Sequence, residues 1–216
     1  HGQCFSREYR QRSQGKRIMR FDLKIIQNWI VQNSRILDLG CGDGTLLERL
    51  RDEKGAQGYG LEIGADEISA CIAKGLNVIE QDLDRGLGNF ADNSFDTVMM
   101  TQALQTMTYP HKVLDEMLRV GKECIVTFPN FGHWKARLHL LIHGRMPVSD
   151  LLPWEWYDTP NIHFCTCKDF EDLCSENGIL ILQRQVISER SFKILTKLLP
   201  NLFGDTAIYR LTRSIL

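Results

Sequence analysis

Apolar positions change their period along this chain, and the changes divide it into alternating helices and strands. Phe21, Ile25, Ile26, Trp29 and Ile30 recur at helical spacing on one face. The short apolar run Arg35–Leu39 reads as a strand that feeds a glycine-rich loop. From Thr45–Lys54, Leu46, Leu47 and Leu50 fall on one side of a helix that Gly55 stops. Residues 58–62 read as a second strand, and Ile68, Cys71 and Ile72 as the inner side of a helix closed by Gly75. Residues 77–81, 95–100 and 123–128 supply strands three to five, with Val113, Leu114, Met117 and Leu118 marking the helix before the fifth. Strands that alternate with helices of about ten residues predict βαβ units and a parallel sheet covered on both faces.

The last third leaves that rhythm. Residues 136–143 have a helical pattern, and a turn-rich stretch follows with Pro147, Pro153 and Pro160 around Trp154, Trp156 and Tyr157. Core packing is the ordinary expectation for those three aromatics; a lid over a pocket or a partner-binding patch are the alternatives. A further helix carries Phe170, Leu173 and Cys174 inward and ends at Gly178, with Thr166 and Asp169 spaced as its N-terminal cap. Two β-like runs, 179–187 and 206–212, close the chain across a long linker. The predicted class is α/β, a doubly wound and mostly parallel seven-stranded sheet with a C-terminal antiparallel hairpin. No repeat or internal boundary interrupts it, so 19–216 reads as one domain.

Composition narrows the class. The 216 residues are 43% apolar and 25% charged, as in an ordinary globular chain, and no apolar run approaches a membrane span. A net charge of −1 predicts no constitutive nucleic-acid or membrane partner. Seven scattered cysteines, an odd number without a signal-peptide pattern, predict free thiols in a reducing cytoplasm. Residues 1–18, with Arg7, Arg10, Arg12, Lys16 and Arg17 against Glu8 alone, read as a flexible basic tail, and Met19 as a natural start.

The chemistry concentrates in the loop after the first strand, Asp38-Leu39-Gly40-Cys41-Gly42-Asp43-Gly44. Glycines at a strand-to-helix turn let the backbone approach a ligand closely. The spacing is not that of a phosphate-binding P-loop, which needs four residues between its glycines and a following Lys-Ser/Thr. A dinucleotide loop needs a small residue at position 45, which is Thr, and Asp38 would repel a pyrophosphate while suiting an ammonium group. Glu62, ending the second strand, is placed to accept both hydrogen bonds of a ribose diol. Asp82, ending the third, is placed to accept from an adenine amino group. For the loop by itself the plain alternative is a tight turn without a ligand, and for Glu62 a solvated strand end.

An acid before alternating glycines, then acids at the ends of strands two and three, resembles the class I S-adenosylmethionine (SAM) methyltransferases. The stretches ILDLGCGDG (36–44), GYGLE (58–62), NVIEQDLDRGL (77–87), FPNFGHW (128–134), GRMP (144–147) and WYDTPNIH (156–163) resemble, more narrowly, the family of methionine-biosynthesis protein MetW. The resemblance runs from about Met19 to about Gly178. It implies the methyltransferase fold, SAM or S-adenosylhomocysteine (SAH) as cofactor, and a role as activating partner of the homoserine O-acyltransferase MetX, an enzyme of α/β-hydrolase type. That such a subunit senses SAM is an inference added to the resemblance. The expected cofactor set is Asp38, Leu39, Gly40, Cys41, Gly42 and Gly44, with Glu62, Ile63, Asp82, Leu83 and Gln102.

Methyl transfer needs mainly in-line positioning, and a base only where the nucleophile is protonated. The stretch 101–110 after the fourth strand, where acceptor-facing residues are expected, offers Gln102 and Gln105, neither of them a base. No catalytic residue is assigned; His133 is the best-placed base, against a local hydrogen-bonding role on its loop as the ordinary reading. His163, Cys165 and Cys167 alternate as on an extended run and lack the second ligand pair of a zinc site, so no metal is expected. An authentic O- or N-methyltransferase of small molecules is the alternative function; an NAD-dependent oxidoreductase is disfavoured by Thr45 and Asp38.

Overall fold

The computed structural model describes residues 21–149, 152–188 and 193–213; the tail read over 1–18 lies outside the described residues. In chain order the elements are α1 (Phe21–Trp29), β1 (Arg35–Leu39), α2 (Thr45–Lys54), β2 (Gln57–Glu62), α3 (Ala65–Ala73), β3 (Asn77–Glu80), β4 (Phe95–Thr101) and α4 (Pro110–Val120). They continue as β5 (Gly121–Pro129), α5 (Trp134–His143), α6 (Cys167–Glu176), β6 (Ile179–Ile187), α7 (Lys193–Leu198), α8 (Pro200–Phe203) and β7 (Thr206–Arg213).

Seven strands form one sheet in the order β3-β2-β1-β4-β5-β7-β6. The first five are parallel, β7 runs antiparallel to β5, and β6 antiparallel to β7. The class expected from the sequence is the fold observed. β1 lies between β2 and β4, so strand order reverses there and leaves a crevice at the carboxyl ends of these strands.

Alternation along each strand divides the core between the two faces of the sheet. Leu37, Leu39, Val98, Met100, Val126 and Phe128 join α4 and α6 on one side. Ile36, Met99, Ile125 and Ile208 join α1 and α2 on the other. Both faces being covered, the strands read as continuous apolar runs. Phe128, Phe170 and Tyr209 pack with ring centroids 4.8–5.9 Å apart and lock α6 onto β5 and β7. The Tyr209 hydroxyl donates to Glu171 at 2.7 Å.

Three expectations are corrected. The linker between the last two strands holds two short helices, α7 and α8, the second opened by Pro200, which fits a first helical turn. Residues 161–166 form no strand, because the Thr166–Asp169 capping box opens α6 immediately after them and Cys167 is its first residue. Trp156 and Tyr157 are not core residues: they are 73% and 70% exposed. The six described cysteines are free thiols, and all but Cys165 are buried.

Candidate functional site

At the end of β1 the amides of Gly40 and Cys41 both donate to the Leu61 carbonyl, at 2.9 and 3.1 Å, and turn the chain across β2. Gly40, Gly42 and Gly44 then adopt φ of 70°, 57° and 74°, the left-handed region that L side chains avoid. The last two differ in what surrounds them. A Cβ on Gly44 would come within 2.4 Å of Leu76 and 2.9 Å of the Cys71 thiol, whereas one on Gly42 would meet nothing within 4 Å. Gly44 therefore packs down onto α3, and Gly42 borders open space above the crevice.

Three acids lie at the carboxyl ends of three strands here: Asp38 is the penultimate residue of β1, Glu62 the last of β2, and Asp82, expected to end the third strand, lies two residues past β3. Asp38 lies in β1 opposite Gly60 and Met99 and is 1% exposed. Glu62 is fixed by backbone amides: Gly42 donates to one carboxylate oxygen at 2.8 Å, and Ile63 and Gly64 donate to the other at 2.8 and 3.1 Å. A carboxylate has about four acceptor sites, so one remains for a ligand unless an amide gives way. Burial pushes the Cys41 thiol up, and the neighbouring Asp38, Cys71 and Glu62 push it further. Cys41 faces inward, its sulfur 3.9 Å from that of Cys71, so only its backbone borders the crevice. Asp82 caps the turn Leu83–Arg85, accepting from the Asp84 amide at 3.0 Å. The Gln81 amide donates to the Glu62 carbonyl at 3.0 Å and holds the second and third strand ends together. Ile63 is 65% exposed beside Glu62, and Leu83 is buried.

Past β4, Gln102 has φ 58°, an uncommon conformation for a residue with a side chain. Its amide is held by both the carbonyl and the hydroxyl of Thr127, at 2.9 and 3.0 Å. Gln105, 6% exposed, donates its side-chain amide to the Gln102 carbonyl at 2.8 Å. Its own backbone carbonyl accepts from Ile162 and His163, both at 3.0 Å. Nothing in the spacing of the sequence signals this brace.

His133 is the N-cap of α5. Its Nδ1 accepts from the Lys135 amide at 3.4 Å, and its Nε2 lies 3.4 Å from Asp205. Burial lowers its pKa, only partly countered by the Asp205 charge. Both ring nitrogens are thus engaged within the fold, far from the posture of a base waiting for substrate. Among the described residues no group of three His, Cys, Asp or Glu side chains is placed to hold a metal.

A doubly wound sheet with a left-handed glycine loop at its switch point, ending in antiparallel strands, is the architecture of the class I SAM methyltransferases. A SAM-dependent methyltransferase from Thermotoga maritima superposes with a TM-score of 0.67 at 16% identity, over 97% of this chain and 96% of that one. The chain itself belongs to the family of methionine biosynthesis protein MetW, whose sequence profile matches residues 20–211. It is similar to the bifunctional methionine biosynthesis protein MetXA/MetW of Rhodopirellula baltica, 34% identical over 87% of this chain and 32% of that protein. It is also similar to the ubiquinone biosynthesis O-methyltransferase of Nitrosococcus oceani, 27% identical over 67% of this chain and 63% of that one. The chain thus spans about a third and just under two thirds of these two relatives.

Proposed function

We propose that this protein binds SAM or SAH at the carboxyl ends of β1, β2 and β3 and acts as the regulatory subunit of a homoserine O-acyltransferase of MetX type. In this reading Asp38 accepts from the ammonium of the methionine end, Glu62 from the ribose, and Asp82 or the adjoining backbone from the adenine amino group. Gly40, Gly42 and Gly44 let the Leu39–Cys41 backbone approach the ligand, and Ile63 and Leu83 supply apolar surface for its base. The donor set suits such a ligand: acids and backbone surround an open space over Gly42, and the buried Asp38 would repel a pyrophosphate. Bound SAM would supply an electrophilic methyl group.

The observation that carries the partner assignment is the Rhodopirellula protein, in which MetXA and MetW share one chain. The loop after β4 agrees with it. Gln105 spends its side-chain amide on the Gln102 carbonyl, and neither glutamine is a base, which a methyltransferase acting on a protonated nucleophile needs there. Purified acyltransferase is expected to transfer acyl groups several-fold faster when saturated with this chain. An unchanged rate without complex formation would overturn the assignment.

The similarity to a quinone O-methyltransferase favours a second reading, an authentic methyltransferase. Tritiated methyl from SAM appearing on a small metabolite in lysate, only when the chain is present, would establish that reading instead.

A further inference from the structure

Two patches of exposed apolar side chains lie outside the cofactor crevice. One groups Leu180 and Leu182 of the edge strand β6 with Ile194, Leu198 and Leu199 around α7. The other follows α5 and the loop 156–164. Leu138, Leu141 and Ile142, at 43%, 81% and 65% exposure, share one helical face. Trp156, Tyr157 and Ile162 are 73%, 70% and 59% exposed beyond it. Met146 and Pro147, just past α5, line a shared groove with Phe131, Trp156 and Phe164, which joins the end of α5 to the loop.

Two observations set this second patch apart. Its α5 half carries charge of one sign: residues 125–149 contain no Asp or Glu, while Lys135, Arg137 and Arg145 stand exposed, and the acids Glu155 and Asp158 lie on the loop side. An occupant with an apolar centre and carboxylates along its α5 side therefore complements this face. The patch is also tied to the cofactor edge, since Gln105 bonds the Gln102 carbonyl with its side chain and the Ile162 and His163 amides with its backbone. The β6 patch lies at the opposite edge of the sheet from β3, and a register shift between Ile181 and Gln183 blunts that edge against pairing.

We infer that the face built by α5 and the 156–164 loop is the surface on which the homoserine O-acyltransferase docks, through an apolar patch of its own bordered by acids. The inference rests on the subunit reading above, which takes this partner from the relative that carries MetXA and MetW in one chain. Gln105 acts as a positioning residue, holding the docking loop to the end of β4.

The test is titration of the purified acyltransferase of the same organism with this chain and its variants. Leu141→Asp and Trp156→Asp are expected to weaken the complex at least tenfold, and Arg145→Glu several-fold, with SAH affinity and melting temperature unchanged. Ile194→Asp, on the other patch, should stay within twofold of wild type. Added salt should weaken the wild-type complex. If the acyltransferase binds wild type and the three face variants equally, the docking face is wrong and the subunit reading stands. If wild type does not bind the enzyme at all, the subunit reading falls and this inference with it. If Leu141→Asp instead turns a wild-type dimer into monomers and leaves acyltransferase binding intact, the face joins two copies of this chain, and the inference is overturned.

Discussion

The glycine-loop edge and the α5 region use their side chains in opposite ways. At the ends of β1 and β2 the structure closes on itself: Asp38 is buried, Glu62 holds three backbone amides, and Gly44 has no room for a Cβ. Along α5 only Ala136 is buried, while Leu138, Leu140, Leu141 and Ile142 stand exposed. One region is fixed before any ligand arrives, which lowers the cost of ordering it on binding. The other leaves exposed an apolar surface that folding does not require, and such contiguous surface marks interaction. The contrast separates what the fold is built to hold from what it is built to meet.

Truncation gives the largest difference between the regions. Phe170→Ala opens the cluster with Phe128 and Tyr209 and should cost about 4 kcal/mol of stability. Leu141→Ala on α5 should stay within about 0.5 kcal/mol, both being read by denaturant unfolding. A comparable loss in the two variants would erase the distinction.

Within the glycine loop the contrast narrows. Gly44→Val combines a left-handed φ with contacts to Leu76 and Cys71 and should cost about 3 kcal/mol. Gly42→Ala bears the conformational cost alone, about 1 kcal/mol. Thermal unfolding should order them this way, and the reverse order would place Gly44, not Gly42, at the open side.

A smaller effect separates His133 as a cap from His133 as a base. Burial holds its folded pKa below the ordinary 6.5, so its contribution to stability is present above that pH and is lost as pH falls through the folded value. His133→Asn keeps a capping acceptor and removes the titration. The variant should show a shallower loss of stability between about pH 7 and pH 5, with SAH affinity unchanged. An equal slope in both proteins would contradict the assignment.

The sheet was legible because strands covered on both faces leave unbroken apolar runs, as Ile36, Leu37 and Leu39 do, and because Gly55 and the Thr166–Asp169 pair mark helix ends by local chemistry. The helices α7 and α8 were missed because six and four residues are too few to show a 3.6-residue period. The acids at the strand ends could be read from their order in the chain. That Glu62 grips the Gly42 amide, or that Gln105 spans from Gln102 to Ile162, depends on distant segments meeting and leaves no trace in spacing. The exposure of Trp156 and Tyr157 ran against their apolar character, since burial follows from tertiary neighbours, and these two have few.

The central claim is that acids at the ends of β1 and β2 hold an adenosine-containing sulfur ligand. Calorimetric titration with SAH tests it most directly, using wild type, Asp38→Asn and Glu62→Gln. Losing a charged acceptor is worth about 1.5–3 kcal/mol, so each variant should bind roughly ten- to hundredfold more weakly than a saturable wild type. Equal affinity in all three proteins, or no binding by wild type, would contradict the account.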